Sequence, residues 1–409
     1  MRIAVLSLGS RGDFEPNLAA AEEFRSRGHQ VVLTTNTVNV ARAQAAGFET
    51  CEIPADLTRI LREFMASRSL VKFGVEMARF EAEYGSAIDE ALIAGCSGAD
   101  VVVSSPMTLV RAQSITEWGG QPLVANLPYP LERSSEFHPS FMGEFNVPTV
   151  LRRPAYSVFE QVHTFSNRSA IRGIRRRLGL SDSVPNTFAR MRSNRTPHVL
   201  LTSPTLFPKP SDWPDYCSIA GMPATWGDTT IDDDLESWLA DGDRPVFFGF
   251  GSMSVPDPAG LLDLIEGVST DLGVRALVGA GWTDLPLGVS EDKRVFVARS
   301  VNYSRVLPQC RAAVHHGGSG TTHDVARAGI PAVLTFVGGD QPLWGHQVEK
   351  LGIGVAFPFR KISHGRLHQA LCTVLMPGVQ NRAREVAHEM AGENGTVQLG
   401  DTVEALAVA

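Results

Sequence analysis

Cysteine is scarce in this 409-residue chain: five residues, at 51, 96, 217, 310 and 372. The number is odd and no C-x-x-C pair occurs, which argues against a disulfide framework or a zinc ribbon and fits a reducing cytoplasm. An excess of positive charge is also missing. Lys and Arg total 37 against 44 Asp and Glu, a net charge of −7. A nucleic-acid binder usually carries a basic face, and the only compact basic run is Arg172 to Arg177. That run is read as a solvated helix face. Long apolar runs are absent too, so no spanning helix is expected. Met1 to Leu8 is too short and wrongly flanked for a signal peptide, and a cytoplasmic protein is the expectation. Disorder is excluded by 43% hydrophobic and 20% charged residues. The length suits two or three domains.

Two halves with the same grammar are present. Ile3 to Leu8 is nearly continuous in apolar residues, as a strand covered on both faces would be. Gly9 to Asp13 reads as a glycine-punctuated loop, Pro16 to Arg27 as a helix stopped by Gly28, and Val31 to Thr34 as the next strand. Ala99 to Ser104, Pro122 to Asn126 and His198 to Thr202 are further buried strands. Proline then concentrates between 204 and 234, as in a linker. A second alternation follows: strands at Pro245 to Phe250, Arg275 to Val278, Val295 to Ala298, Ala312 to His315 and Ala332 to Phe336, with helices at Ala259 to Thr270 and Thr321 to Ala328. The expected fold class is α/β, two Rossmann-like doubly wound parallel-sheet domains facing a cleft. The expected boundaries are 1–208, a linker at 209–234, and 235–409. Ligands in such sheets sit beyond the carboxyl ends of the strands. Three glycine-rich loops lie there, after Leu8, Phe250 and His316.

The loop His315-His316-Gly317-Gly318-Ser319-Gly320-Thr321-Thr322 carries the most chemistry. Glycine lets a backbone approach a ligand closely. The helix opening offers unpaired N–H groups and the positive end of its dipole to an anion. Hydroxyls and an imidazole N–H add donors. The loop is neither a Walker A loop nor G-x-G-x-x-G. In the next loop, Asp340 and Gln341 place an acceptor beside a donor, which suits vicinal sugar hydroxyls, although an aspartate cap before a Pro-started helix reads equally well. Asp13 follows the first strand as a carboxylate able to take a proton, or as a cap. Asp232-Asp233-Asp234 is better read as acidic capping than as a metal motif. His315, His316 and His323 make a weak metal set, because adjacent strand side chains point to opposite faces.

The stretches GSRGDFEP (9–16), FGFGSM (248–253), GAGW (279–282), VLPQCRAAVHHGGSGTT (306–322) and GGDQPLWGHQVEKLGIG (338–354) resemble the GT-B glycosyltransferases of family 1, which act on glycopeptide antibiotics and sterols. The resemblance covers the first strand–helix unit and most of the C-terminal half. It is loose between 50 and 200, although IRGIRRRLGL (171–180) is similar to a helix members often carry. It implies a GT-B fold and an inverting, metal-independent transfer without a cofactor. The co-substrate would be a UDP- or dTDP-sugar, and the acceptor a hydroxyl of an apolar or polycyclic natural product. By the same resemblance Asp13 is the base, with Ser10 and Arg11 near the pyrophosphate. Trp282 and Val301 lie by the nucleobase. Ser252, His316, Gly318, Ser319, Gly320 and Thr321 hold the phosphates, and Asp340 and Gln341 the sugar. Tyr129 and Arg133 are the expected acceptor wall. Alternatives are a sterol, hopanoid or other lipid acceptor, and a non-catalytic helper of another glycosyltransferase. The helper would be expected to lose Asp13, His316, Asp340 or Gln341, and all four are present. No nucleic acid, no stable membrane insertion, and a monomer or homodimer are expected. The last helix is expected to return to the first domain.

Overall fold

The computed structural model describes residues 1–55, 70–139, 147–223, 231–251, 255, 257–281 and 283–408. The first half forms a seven-stranded sheet of β1 Arg2–Ser7, β2 Gln30–Asn36, β3 Glu49–Ile53, β4 Val101–Ser104, β5 Leu123–Leu127, β6 His198–Leu200 and β7 Cys217–Ile219, in the order β3-β2-β1-β4-β5-β6-β7. The second half forms another, of β8 Val246–Gly249, β9 Ala276–Gly279, β10 Gly288–Val289, β11 Val295–Ala298, β12 Ala312–His315, β13 Ala332–Phe336 and β14 Gly354–Pro358, in the order β10-β11-β9-β8-β12-β13-β14. All pairings are parallel except the two-residue edge strand β10. β4 and β8 are buried along their whole length, as expected of strands covered by helices on both faces.

Strand order reverses between β1 and β4 in the first sheet and between β8 and β12 in the second. Crevices open at such switch points, so the chain places two of them by topology alone. The loops after β1, β8 and β12, singled out from sequence, all sit at these points.

Two boundaries differ from the sequence reading. The helix after β1, α1 Arg11–Ser26, starts a turn before Pro16, with Ser10 as its N-cap. The side chain of Asp13 accepts from both the N–H and the hydroxyl of Ser10, at 2.8 and 2.9 Å, so Gly9 to Asp13 opens a helix instead of forming a free loop. The stretch read as linker carries β7, paired in parallel with β6, so the first sheet runs past residue 208. A short edge strand tolerates the prolines around it, because one side needs no ladder partner.

The halves are tied together. The last helix, which we call α2, Gly395–Val408, packs on α1; Leu399 and Val403 are buried in one cluster with Phe14, Leu18 and Phe24. Arg27 anchors it through Asp401, Glu404 and the carbonyl of Val397, at 2.8, 3.0 and 2.8 Å. A second cluster runs across the interface, joining Leu127 and Phe207 of the first half to Leu334 and Trp344 of the second.

Candidate active site

Asp13 stands in the first turn of α1. Its Oδ2 is held by Ser10, and its carbonyl accepts from the Asn17 amide at 2.7 Å. Asn17 in turn accepts from Asn126 at the end of β5, at 2.9 Å. A small pocket beside Asp13 is lined by Asn17, Ser105, Pro106, Asn126 and Pro128. Burial raises the Asp13 carboxyl above the ordinary aspartate range, against the pull of Ser10.

The facing wall belongs to the second sheet. His316 follows β12, and its ring lies between glycines: a Cβ on Gly251 would come within 2.9 Å of Cε1, and one on Gly318 within 2.6 Å of Nε2. Gly251 has φ +58°, which also favours glycine. Burial holds His316 neutral, pushed down to about 4, and the Gly249 carbonyl acts in the opposite direction. Its Nδ1 is buried without a hydrogen-bond partner. The helix α3, Ser319–Arg327, opens directly beyond it, and its first-turn N–H groups have no intrahelical acceptor. The first turn of α3, next to the His316 ring, thus offers N–H groups of the kind that anionic ligands bind.

The next helix is α4 Gln341–Lys350; Asp340 stands at its N-cap position, but its side chain makes no capping hydrogen bond. The fully buried Trp344 donates its indole N–H to Asp340 Oδ2 at 2.6 Å. Oδ2 is thereby fixed, and Oδ1 is the oxygen left for a ligand. Burial lifts Asp340 to about 6, and the charge of Asp13 adds to the rise. Burial likewise raises the Tyr129 phenol, with Asp13 and Asp340 both contributing. These three groups, from both halves, are therefore close enough for their charges to act on one another. Gln341 accepts from the N–H groups of Val337 and Gly338 at 2.7 and 3.3 Å through Oε1, which leaves its amide N–H groups as donors.

Not every expected residue sits in the cleft as a donor. The Ser319 hydroxyl reaches across to the Pro128 carbonyl at 3.0 Å, joining the loop after β12 to the loop after β5. Arg133 turns away to Glu160, at 2.6 and 2.7 Å, and Arg192 holds the same carboxylate at 2.8 and 2.9 Å. Val301 packs near Gly279 at the end of β9, and Gly320 and Thr321 lie in the opening turn of α3. Ser252, Trp282 and the side chain of Arg11 lie outside the described residues.

His323 is a component that the sequence reading weighed only as part of a weak metal set. Its Nδ1 lies 2.7 Å from the Ser319 carbonyl, and its Nε2 accepts from the Ser203 N–H at 2.9 Å, which together fix one neutral tautomer. Its ring meets Trp344 edge-on at 5.1 Å, and Trp344 meets Phe207 at 6.3 Å. A continuous line of contacts thus runs from the end of the first sheet to Asp340. Nothing in linear spacing signals it, because Ser203 and His323 are 120 residues apart. Among the described residues, one group with metal-ligand chemistry converges: Glu132, His198 and Cys217, within 4.8 Å of one another. There Arg192 already supplies Glu132 with a cation at 3.6 Å, and burial holds His198 neutral and Cys217 protonated.

Comparison with known proteins agrees with this geometry. Residues 3–126 match the glycosyltransferase family 28 N-terminal domain, and residues 288–406 match the C-terminal domain of erythromycin biosynthesis protein CIII-like proteins. A sterol 3-beta-glucosyltransferase of Arabidopsis thaliana is 28% identical over 98% of this chain and 67% of its own length. The O-mycaminosyltylonolide 6-deoxyallosyltransferase of Streptomyces fradiae is 29% identical over 97% of this chain and 95% of its own. The chain is a glycosyltransferase, similar over nearly its full length to these enzymes.

The fold of this glycosyltransferase is GT-B. A spinosyn rhamnosyltransferase in complex with thymidine diphosphate superimposes with a TM-score of 0.67, at 19% identity, over 99% of this chain and all of the other. The same rhamnosyltransferase in complex with spinosyn aglycone gives 0.66 at 18% identity, over the same shares.

Proposed function

We propose that this glycosyltransferase moves a sugar from a UDP- or dTDP-sugar to a hydroxyl of an apolar small-molecule aglycone, with inversion and without a metal. The observation that carries the reading is the convergence of Asp13 and Tyr129 from the first half with Asp340 from the second, beside the loop after His316 that reaches Pro128 through Ser319. Asp13 Oδ1 would take the acceptor proton as the hydroxyl attacks the anomeric carbon. Ser10 would hold the other oxygen still. Asp340 and the Gln341 amide would orient the sugar hydroxyls. His316 and the opening turn of α3 would stabilise the charge growing on the departing diphosphate, the part a metal plays elsewhere. Asp232 supports the metal-free reading, because its carboxylate caps the helix Asp233–Ala240 through the N–H groups of Asp234 and Leu235, at 3.1 and 3.3 Å. Tyr129 is the acceptor-facing residue in this reading, and Arg133 holds the wall that carries it. The complexes of the structural relative with thymidine diphosphate and an aglycone support the same pair of substrates. The alternative acceptor in this reading is a lipid hydroxyl, as the name of the sterol 3-beta-glucosyltransferase suggests.

Calorimetric titration with UDP, dTDP, GDP and ADP tests this. Binding of UDP or dTDP, with His316→Ala weakening it about 10- to 150-fold, is the expected result, since a hydrogen bond to a charged group contributes roughly 1.5–3 kcal/mol. Absence of all four affinities, or an unchanged affinity in the variant, would contradict it.

A further inference from the structure

The helix α5, Thr149–Ser166, has two unlike faces. Its inner face is buried: Tyr156 packs against Phe137 of the acceptor-wall loop, and Glu160 holds Arg133 of that loop. Its outer face is apolar and open to solvent. Leu151, Val158, Val162 and Phe165 fall at spacings of seven, four and three, which is one stripe of a helix. Val158 is 61% exposed and Phe165 65%, with Val150 at 83% beside them. Pro154 and Ala155 continue the stripe, and its only polar members are Gln161 and Ser166. Single exposed apolar residues need no explanation, but an uncharged stripe along an 18-residue helix does.

Arginines outnumber acids at the end of the stripe. Arg168 lies over the Phe165 ring, 3.9 Å from its centre. Arg168, Arg172 and Arg176 follow at intervals of four along the next helix, Arg168–Arg177, and all three are exposed. The acids facing this row are Asp182, which pairs with Arg176 at 2.9 Å and lies within reach of Arg172, and Glu90, which pairs with Arg177 at 2.8 Å. A protein partner usually meets an apolar centre with a mixed polar rim. A linear apolar stripe with an arginine flank is the pattern of a helix lying in a lipid interface.

We propose that α5 docks this glycosyltransferase on a bilayer surface with anionic headgroups, so that the acceptor is a hydroxyl-bearing lipid drawn from that surface. The acceptor wall would then lie one helix diameter, about 10 Å, from the lipid. This rests on the glycosyltransferase reading for the acceptor, but not for the docking itself. The arginines add electrostatic attraction that salt weakens.

The test is co-sedimentation of the full chain with phosphatidylcholine vesicles, with and without phosphatidylglycerol. Sedimentation with the anionic vesicles is expected, with about a tenfold or greater loss in V158E/F165E and a smaller, salt-like loss in R168E/R172E. All four positions are exposed, so circular dichroism and UDP or dTDP affinity should match the unsubstituted protein. Wild-type protein that stays in the supernatant with both vesicle types would overturn the proposal, as would V158E/F165E sedimenting like wild type. So would a dimer in analytical ultracentrifugation that V158E/F165E dissolves, because the stripe would then be covered by a second copy. Vesicle binding without any nucleotide affinity would instead sink the glycosyltransferase mechanism and leave the docking intact.

Discussion

Trp344→Phe isolates one hydrogen bond at the site. The phenyl ring keeps most of the buried volume beside His323 and Phe207 but removes the N–H that holds Asp340 Oδ2 at 2.6 Å. A hydrogen bond to a charged group contributes about 1.5–3 kcal/mol, so a sugar contact that depends on it should weaken by about 10- to 150-fold. The same N–H lowers the Asp340 pKa, whose value is about 6 with the bond in place. Its removal moves that pKa up. If the sugar needs the ionised carboxylate, kcat/KM falls as pH drops through about 6 in the natural protein, and the falling limb moves to higher pH in Trp344→Phe. The assay is steady-state transfer against pH with the full nucleotide-sugar, beside calorimetry with the nucleoside diphosphate alone. The diphosphate lacks the sugar, so its affinity should stay within about twofold while kcat/KM falls about tenfold or more. An equal loss of diphosphate affinity would mean that Trp344 acts by packing the domain. An unmoved pH limb would mean that Asp340 is not the group it orients.

Two further outcomes are expected. Asp13→Asn should lower kcat by about 10²- to 10⁴-fold with nearly unchanged nucleotide affinity and melting temperature, because the amide oxygen still accepts from Ser10; Asp13→Ala should show the same kinetic loss and an added cap loss of about 1 kcal/mol on denaturant titration. Glu160→Ala should destabilise by about 1–3 kcal/mol, since it removes the buried carboxylate shared by Arg133 and Arg192, both partly open to solvent and the second still beside Glu132 at 3.6 Å. The two arginines hold the Glu160 pKa below the ordinary glutamate range despite burial. Its stability contribution is therefore present above the unfolded pKa and is lost as pH falls through the lower folded value. Urea titrations across that acidic window should show the natural protein losing stability and the variant losing less.

The sequence by itself determined the two βα-repeating halves, because strands buried on both faces must be continuously apolar, as in Val101–Ser104 and Val246–Gly249. It also located the glycine-rich loops at the strand ends, since glycines there and donors at helix starts are local features, legible around His316 and Asp340. It did not reveal that Gly9 to Asp13 opens a helix, because a capping box and a glycine loop use the same residues. Nor did it reveal β7, whose strand character comes from pairing with β6 and not from its own three residues. Arg133 looked like a ligand because a charged residue near a strand end is ambiguous until its partner, Glu160, is known. Only the tertiary structure decided that Ser319 bridges to Pro128, and that His323 and Trp344 link Ser203 to Asp340. Only it left one face of α5 uncovered. These are contacts between segments far apart in the chain, and no local propensity encodes them.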